Sequence, residues 1–184
     1  MIRTRTIVRA FGICALVAVV QCSGASEPAL SLGEIRGTWA GQAWVGDVNV
    51  TLVEYTGVPD TLFITASRPR GVISSATESV ALQVPVVGTG PYTLVPGAAR
   101  LFELTGGDVV SATYVGTAGT VTVTSSSGVG GIIEGVFSFD ATSSDANRSY
   151  GESARFENGR FRANFDAGNP GPMASAPNLI RGSR

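Results

Sequence analysis

Gly135-Val136-Phe137-Ser138-Phe139-Asp140-Ala141 is the stretch on which the fold is decided. Its two Phe side chains are two residues apart, so in an extended chain they point the same way, with Ser138 on the other face. The same period of two recurs in both directions. Val48, Val50 and Leu52 alternate with Asn49 and Thr51, and Val80, Leu82 and Val84 alternate with Ala81 and Gln83. Val121 and Val123 alternate with Thr120, Thr122 and Thr124, and Phe161 and Phe165 stand out of phase with Arg160 and Arg162. Each run reads as a strand with one dry and one wet face.

Turn-forming clusters separate these runs: Gly57-Val58-Pro59-Asp60, Arg68-Pro69-Arg70-Gly71, Pro85 to Pro91, Pro96-Gly97, Thr105-Gly106-Gly107-Asp108, Ser125 to Gly131, and Asn158-Gly159. Short runs at even spacing predict an all-β domain, an antiparallel β-sandwich or partly open β-barrel of about 8–10 short strands. Glu34 to Trp39 is the one stretch after the N-terminal segment with room for a helical turn. The core is expected to gather Val121, Val123, Phe137, Phe139 and Phe161. Trp39 and Trp44 are five apart, which on one continuous strand would send them to opposite faces.

The N-terminus reads as an address. Arg3, Arg5 and Arg9 precede an apolar run from Ala10 to Val20, the charged and hydrophobic regions of a secretory signal peptide, and the run is too short to span a bilayer. Two processing sites compete. Val19-Val20-Gln21-Cys22 has the order of a bacterial lipobox, with Gln21 in place of a small residue, and would leave a lipid-modified Cys22 as the new N-terminus; Ser23-Gly24-Ala25 would instead release a soluble chain from Ser26. The boundaries that follow are residues 1–22 for the signal peptide with its lipobox, 23–36 for a linker, 37–165 for the β domain, and 166–184 for a disordered tail. The tail carries Pro170, Pro172 and Pro177 and shows no alternation.

Composition removes whole classes of chemistry. The 184 residues contain no His, and all 13 basic side chains are Arg. Imidazole bases and imidazole metal ligands are therefore excluded, as are Schiff-base and P-loop lysines. Cys14 and Cys22 both lie in the address, so the β domain holds no pair for a disulfide. Loss of Arg3, Arg5 and Arg9 leaves ten Arg against 14 acids, a net charge of −4 with no basic stripe, which argues against nucleic acid as a partner.

The remaining candidates are few. Asp140, Asp145 and Asn147 offer oxygens for calcium without the spacing of an EF-hand, and the same residues serve equally well as turn formers; no metal site and no cofactor is expected. Glu54, Glu134, Glu152 and Glu157 could supply a glycosidase pair, yet no spacing singles two of them out. Gly-x-Ser-x-Gly is missing. Trp39, Trp44 and Tyr55 head the aromatic candidates for a ligand groove, with Tyr92, Tyr114 and Tyr150 behind them. Arg68, Arg70, Arg155, Arg160 and Arg162 read as wet positions, with an anion patch at Arg160 and Arg162 as the alternative.

Three elements carry a resemblance: Gly119 to Ser125, Ile133 to Ala141 with its Phe-Ser-Phe, and Phe156-Glu157-Asn158-Gly159-Arg160-Phe161. Together with Gly41-Gln42-Ala43-Trp44 near the start, they are similar to a family of small secreted bacterial lipoproteins of unknown function. Val136 stands where that family carries Thr. The resemblance spans Thr38 to Phe165; it implies an extracytoplasmic β domain and supplies no catalytic residue. The expectation is an exported, lipid-anchored β domain of the cell envelope, at the outer membrane or in the periplasm. It would act as a binding or structural module for an unidentified envelope ligand or protein, touching the membrane only through the N-terminal lipid. The alternative is a carboxylate-dependent hydrolase acting on envelope polysaccharide.

Overall fold

The computed structural model describes residues 28–53, 60–70, 76–85, 88–105 and 109–167. The stretch read as a signal peptide, Cys22, Glu54, Tyr55 and the residues beyond 167 lie outside the described residues. Nine strands form among the described residues: β1 (Glu34–Trp39), β2 (Gln42–Val53), β3 (Thr61–Pro69), β4 (Thr77–Pro85), β5 (Gly90–Leu94), β6 (Ala99–Thr105), β7 (Val109–Ser126), β8 (Ile132–Thr142) and β9 (Ser153–Ala167). No helix forms among the described residues.

Eight of the strands close on themselves. The antiparallel order β1-β2-β3-β4-β6-β7-β8-β9 returns to β1 through the β1–β9 pair. β5 is the extra strand: it pairs with Gly119–Val123 of β7, in line with β6, which pairs with Val109–Val115. A tight turn joins the two, with Ala98 N–H donating to Val95 O at 3.0 Å. Of the two architectures left open by sequence, the barrel is the one formed, and it is closed. Closure removes the unpaired edges that an open sheet would expose.

β1 is short, and the wall is sealed beyond its start. There Val50, Thr51 and Leu52 of β2 pair in parallel with Phe165, Asp166 and Ala167 of β9. Strand structure therefore reaches from Glu34, inside the stretch read as linker, to Ala167, past the expected end at Phe165. Glu34–Trp39 is a strand and not a helical turn, because Ile35 and Trp39 repeat at period two and both are buried in the barrel core.

Most inward positions are apolar and most outward ones polar, with Val45, Val115 and Val136 as exposed exceptions on the outside. Val121, Val123, Phe137, Phe139 and Phe161 share one core cluster, as the alternation predicts. The bulky rings inside are accommodated by inward glycines. A Cβ on Gly159 would lie 2.6 Å from Phe137 Cε1, and one on Gly135 would lie 2.5 Å from Phe161 Cζ, so each ring lies over a glycine in the wall. Outside stand Thr120, Thr124, Glu134, Asp140, Glu157 and Asn164, all intermediate or exposed. A lipid-facing barrel turns an apolar band outward, and this wall has the opposite sense.

Asn158-Gly159, read from sequence as a turn, is a bulge inside β9. The pairing jumps from Arg36↔Arg160 to Thr38↔Glu157 on one side and from Phe137↔Gly159 to Phe139↔Phe156 on the other. Asn158 takes the left-handed conformation at φ 53°, which Asn tolerates better than other residues with a Cβ. The inserted residue shifts the phase, and so Phe156 and Phe161, five apart, both point inward.

Candidate functional site

The apolar phase of three neighbouring strands turns to charge at one mouth of the barrel. On β3 the inward series Leu62, Ile64, Ala66 continues as Arg68. On β4 the series Val84, Leu82, Val80 ends at Glu78, and on β6 Ala99 and Leu101 lead to Glu103. Strand register sets these side by side, with Arg68 opposite Glu78 and Glu78 opposite Glu103. Glu78 is 0% exposed and Glu103 1%.

Buried carboxylates are costly unless every lone pair finds a donor. Here the donors converge. Arg68 reaches Glu78 Oε2 from Nε at 2.9 Å and from Nη2 at 2.8 Å, and Trp44 Nε1–H donates to the same oxygen at 3.0 Å. Arg70 bridges the two acids, with Nη1 at 3.1 Å from Glu103 Oε2 and Nε at 3.6 Å from Glu78 Oε1. Both guanidiniums also lie over rings, Arg68 at 5.4 Å from the Trp44 centroid and Arg70 at 5.7 Å from that of Tyr150.

The loop from Ser143 to Glu152, between β8 and β9, supplies the remaining donors. Ser149 N–H donates to Glu103 Oε1 at 3.2 Å and its hydroxyl to Oε2 at 2.7 Å, while the Tyr150 hydroxyl donates to Glu78 Oε1. Tyr150 N–H donates to Tyr114 Oη at 2.8 Å. Burial, then the hydrogen bond to the Glu78 carboxylate, pushes the Tyr150 hydroxyl up to about 12. Burial also raises that of Tyr114. Trp39 completes the floor, meeting Tyr114 edge-on at 5.2 Å and Tyr150 at 6.0 Å.

Trp39 and Trp44, the sequence candidates for a groove, come together here with both side chains inside, at 0% exposure. The expectation that they face opposite sides fails because they are not on one strand. Ala40 and Gly41, both at positive φ, make a two-residue hairpin turn that pairs Trp39 with Gln42 and Gly37 with Trp44. Tyr55 lies outside the described residues. The four acids named from sequence are not gathered. Glu134 pairs with Arg162 at 2.9 Å, Glu152 with Arg148 at 3.1 Å and Glu157 with Arg155 at 3.8 Å, all on the wet side, and Glu54 is outside the described residues.

The calcium candidates are separated too. Asp140 faces Arg155 at 3.3 Å on the outer wall, whereas Asp145 Oδ2 accepts Thr113 N–H at 2.7 Å and pins the loop to β7. No group of three acidic or thiol ligands with metal-binding placement occurs among the described residues. Of the proposed anion patch, Arg162 is engaged by Glu134 and by the Leu30 carbonyl. A shallow groove of about 680 Å³ crosses the outer wall beside the β9 bulge, between Val45 and Val136, with Arg36, Thr38, Asn158 and Arg160 along it.

Sequence reasoning missed Glu78 and Glu103, and the signal was available. Each stands in the apolar phase of its strand, Glu78 two before Val80 and Glu103 two after Leu101. A charge in the dry phase marks a buried ion pair or a site. Comparison of the chain with protein-family models, with curated proteins and with solved structures finds no match.

Proposed function

We propose that the chain is an exported, lipid-anchored domain of the cell envelope that acts as a binding or structural module. The address rests on the Arg-rich start, the short apolar run and Cys22 in lipobox order. The wet outer wall is consistent with a domain held at a membrane by a lipid and not by its strands. The observation that carries the choice of module over enzyme is the state of the two inward acids. Glu78 and Glu103 are engaged by Arg68, Arg70, Trp44, Ser149 and Tyr150, and neither stands in the apolar, unpaired setting of a general acid.

The hydrolase alternative draws on one observation, that these acids are direct cross-strand neighbours. Cross-strand Cβ atoms lie roughly 4.5–5.5 Å apart, which brings two carboxyls within the range of a retaining glycosidase. Two measurements test the reading. Mass spectrometry of envelope fractions should find a chain beginning at lipid-modified Cys22, and Cys22→Ala should release it from the membrane. A glycan and peptide array probed with the mature domain should report binding without turnover; hydrolysis that is lost in Glu78→Gln or Glu103→Gln would replace the module with the enzyme.

A further inference from the structure

We propose that the charged mouth is a gated site for a hydroxyl-rich ligand, a saccharide in chemical class, with the Ser143–Glu152 loop as its lid. This deepens the binding-module reading and rests on it. The loop is attached to the barrel by polar bonds. Its anchors are the Ser149 and Tyr150 contacts to Glu103, Glu78 and Tyr114 and the Asp145 bond from Thr113, and Tyr150 is the one lid side chain that meets the aromatic floor. Gly151 at φ 79° provides a joint where the loop rejoins β9. Segments held in this way open locally while apolar walls stay closed.

Opening strands no charge. Arg68 and Arg70 stay on Glu78 and Glu103 when the loop leaves, so the carboxylates keep their guanidinium partners. What becomes vacant is specific. Both oxygens of Glu103 lose donors that came from one residue, Ser149 N–H on Oε1 and Ser149 Oγ on Oε2, and Glu78 Oε1 loses the Tyr150 hydroxyl. Two adjacent donors across one carboxylate is the pattern that neighbouring hydroxyls of a sugar reproduce.

A second, independent observation selects hydroxyl over ammonium. Trp39 Nε1–H is buried in the same floor, its residue 0% exposed, and has no acceptor. A hydroxyl donates to a carboxylate and accepts from an indole, whereas an ammonium only donates. The rings of Trp39 and Tyr114, which Tyr150 covers, then offer faces and edges to the C–H surface of a sugar ring.

Both tryptophans of the chain lie in this site, so intrinsic fluorescence reads it directly. The mature chain is titrated with maltotriose, cellotriose and chitotriose, with spermidine as a donor-only control. One trisaccharide is expected to give a saturable change in emission. Glu103→Gln should weaken that binding by about tenfold, the worth of one charge-assisted hydrogen bond. Ser149→Ala with Tyr150→Phe should tighten it roughly three- to tenfold by removing the lid's competing donors. Circular dichroism checks that each variant keeps its strands. In the unmodified protein, hydrogen exchange of the Ser143–Glu152 amides should run about 100-fold faster than that of β8 and β9, a measurement that needs no variant. Silence of all three trisaccharides in both the wild type and the lid variant overturns the proposal. So does a response to spermidine alone, or loop protection equal to that of its flanking strands. Array binding with unchanged tryptophan emission would keep the module and move its site to the outer wall; an array with no binding at all would remove both.

Discussion

The two ends of this barrel are closed by different physics. At the end where β2 and β9 run together, closure is by strand pairing and apolar packing: the strands pair in parallel, Gly130 N–H donates to Phe165 O at 2.7 Å, and Val50, Leu62, Val84 and Ile133 fill the interior. At the other end the same inward phase ends in Arg68, Glu78 and Glu103, and a polar loop lies across the opening. Apolar packing carries no protonation equilibrium of its own, whereas an ion cluster has strength only while each charge keeps its partners. The charged mouth is therefore where pH acts on buried contacts of the barrel interior.

The largest expected effect lies in the aromatic core layer beneath the mouth. Phe156 touches Trp39, Trp44, Phe137 and Phe139 and is fully buried, so Phe156→Ala should cost roughly 3–5 kcal/mol in denaturant unfolding. Next comes the mouth. Glu78→Ala removes the acceptor of Arg68, Arg70, Trp44 and Tyr150 together and should cost about 3 kcal/mol, the loss expected when one partner of a buried pair is deleted. A loss below about 1 kcal/mol would mean that water already reaches the guanidiniums, and the contrast between the ends would collapse.

Most of the wall was legible because alternation is a local code. Val121, Val123, Phe137, Phe139 and Phe161 declare their face two residues at a time, and the structure buries all five together. What sequence failed to show depends on events that reset the phase. The Ala40–Gly41 turn places both Trp39 and Trp44 inside, and the Asn158 bulge does the same for Phe156 and Phe161; each changes the parity of a five-residue interval. A turn and a bulge share the same preference for Asn and Gly, so Asn158-Gly159 could not be told from a hairpin without its partners. Closure was hidden for another reason, since pairing of β1 with β9 joins residues more than a hundred positions apart and leaves no local trace. The site is less legible because an acid in the dry phase is uncommon and because only strand register brings Glu78 and Glu103 together.

A smaller effect separates the lid from the wall. Tyr150→Phe deletes one hydroxyl that donates to Glu78 on a partly exposed ring, and it should lower stability by about 1 kcal/mol. The same variant should raise acrylamide quenching of the two tryptophans, because without its hydroxyl bond to Glu78 the ring that lies 6.0 Å from Trp39 is held less firmly over it. Unchanged quenching with lowered stability would make Tyr150 a wall residue and not part of a lid.

The smallest effect is a change in where one proton leaves. A free phenol titrates near 10, whereas burial and the bond to the Glu78 carboxylate hold the Tyr150 hydroxyl up to about 12. The folded protein therefore keeps a proton that the unfolded chain gives up first. The stabilisation this represents is fully present below pH 10 and is lost as pH rises from there through about 12, because over that window the native state binds more protons than the unfolded one. The difference in tyrosinate absorbance between wild type and Tyr150→Phe isolates this residue from the other three tyrosines of the chain. Its midpoint should fall near 12 while the barrel is folded. In Glu103→Ala, which loosens the Ser149 anchor, that midpoint should move down toward 10 as the lid spends more time open. A midpoint near 10 in the wild type would place the hydroxyl in water, and the charged end would then be closed by Arg68 and Arg70 alone.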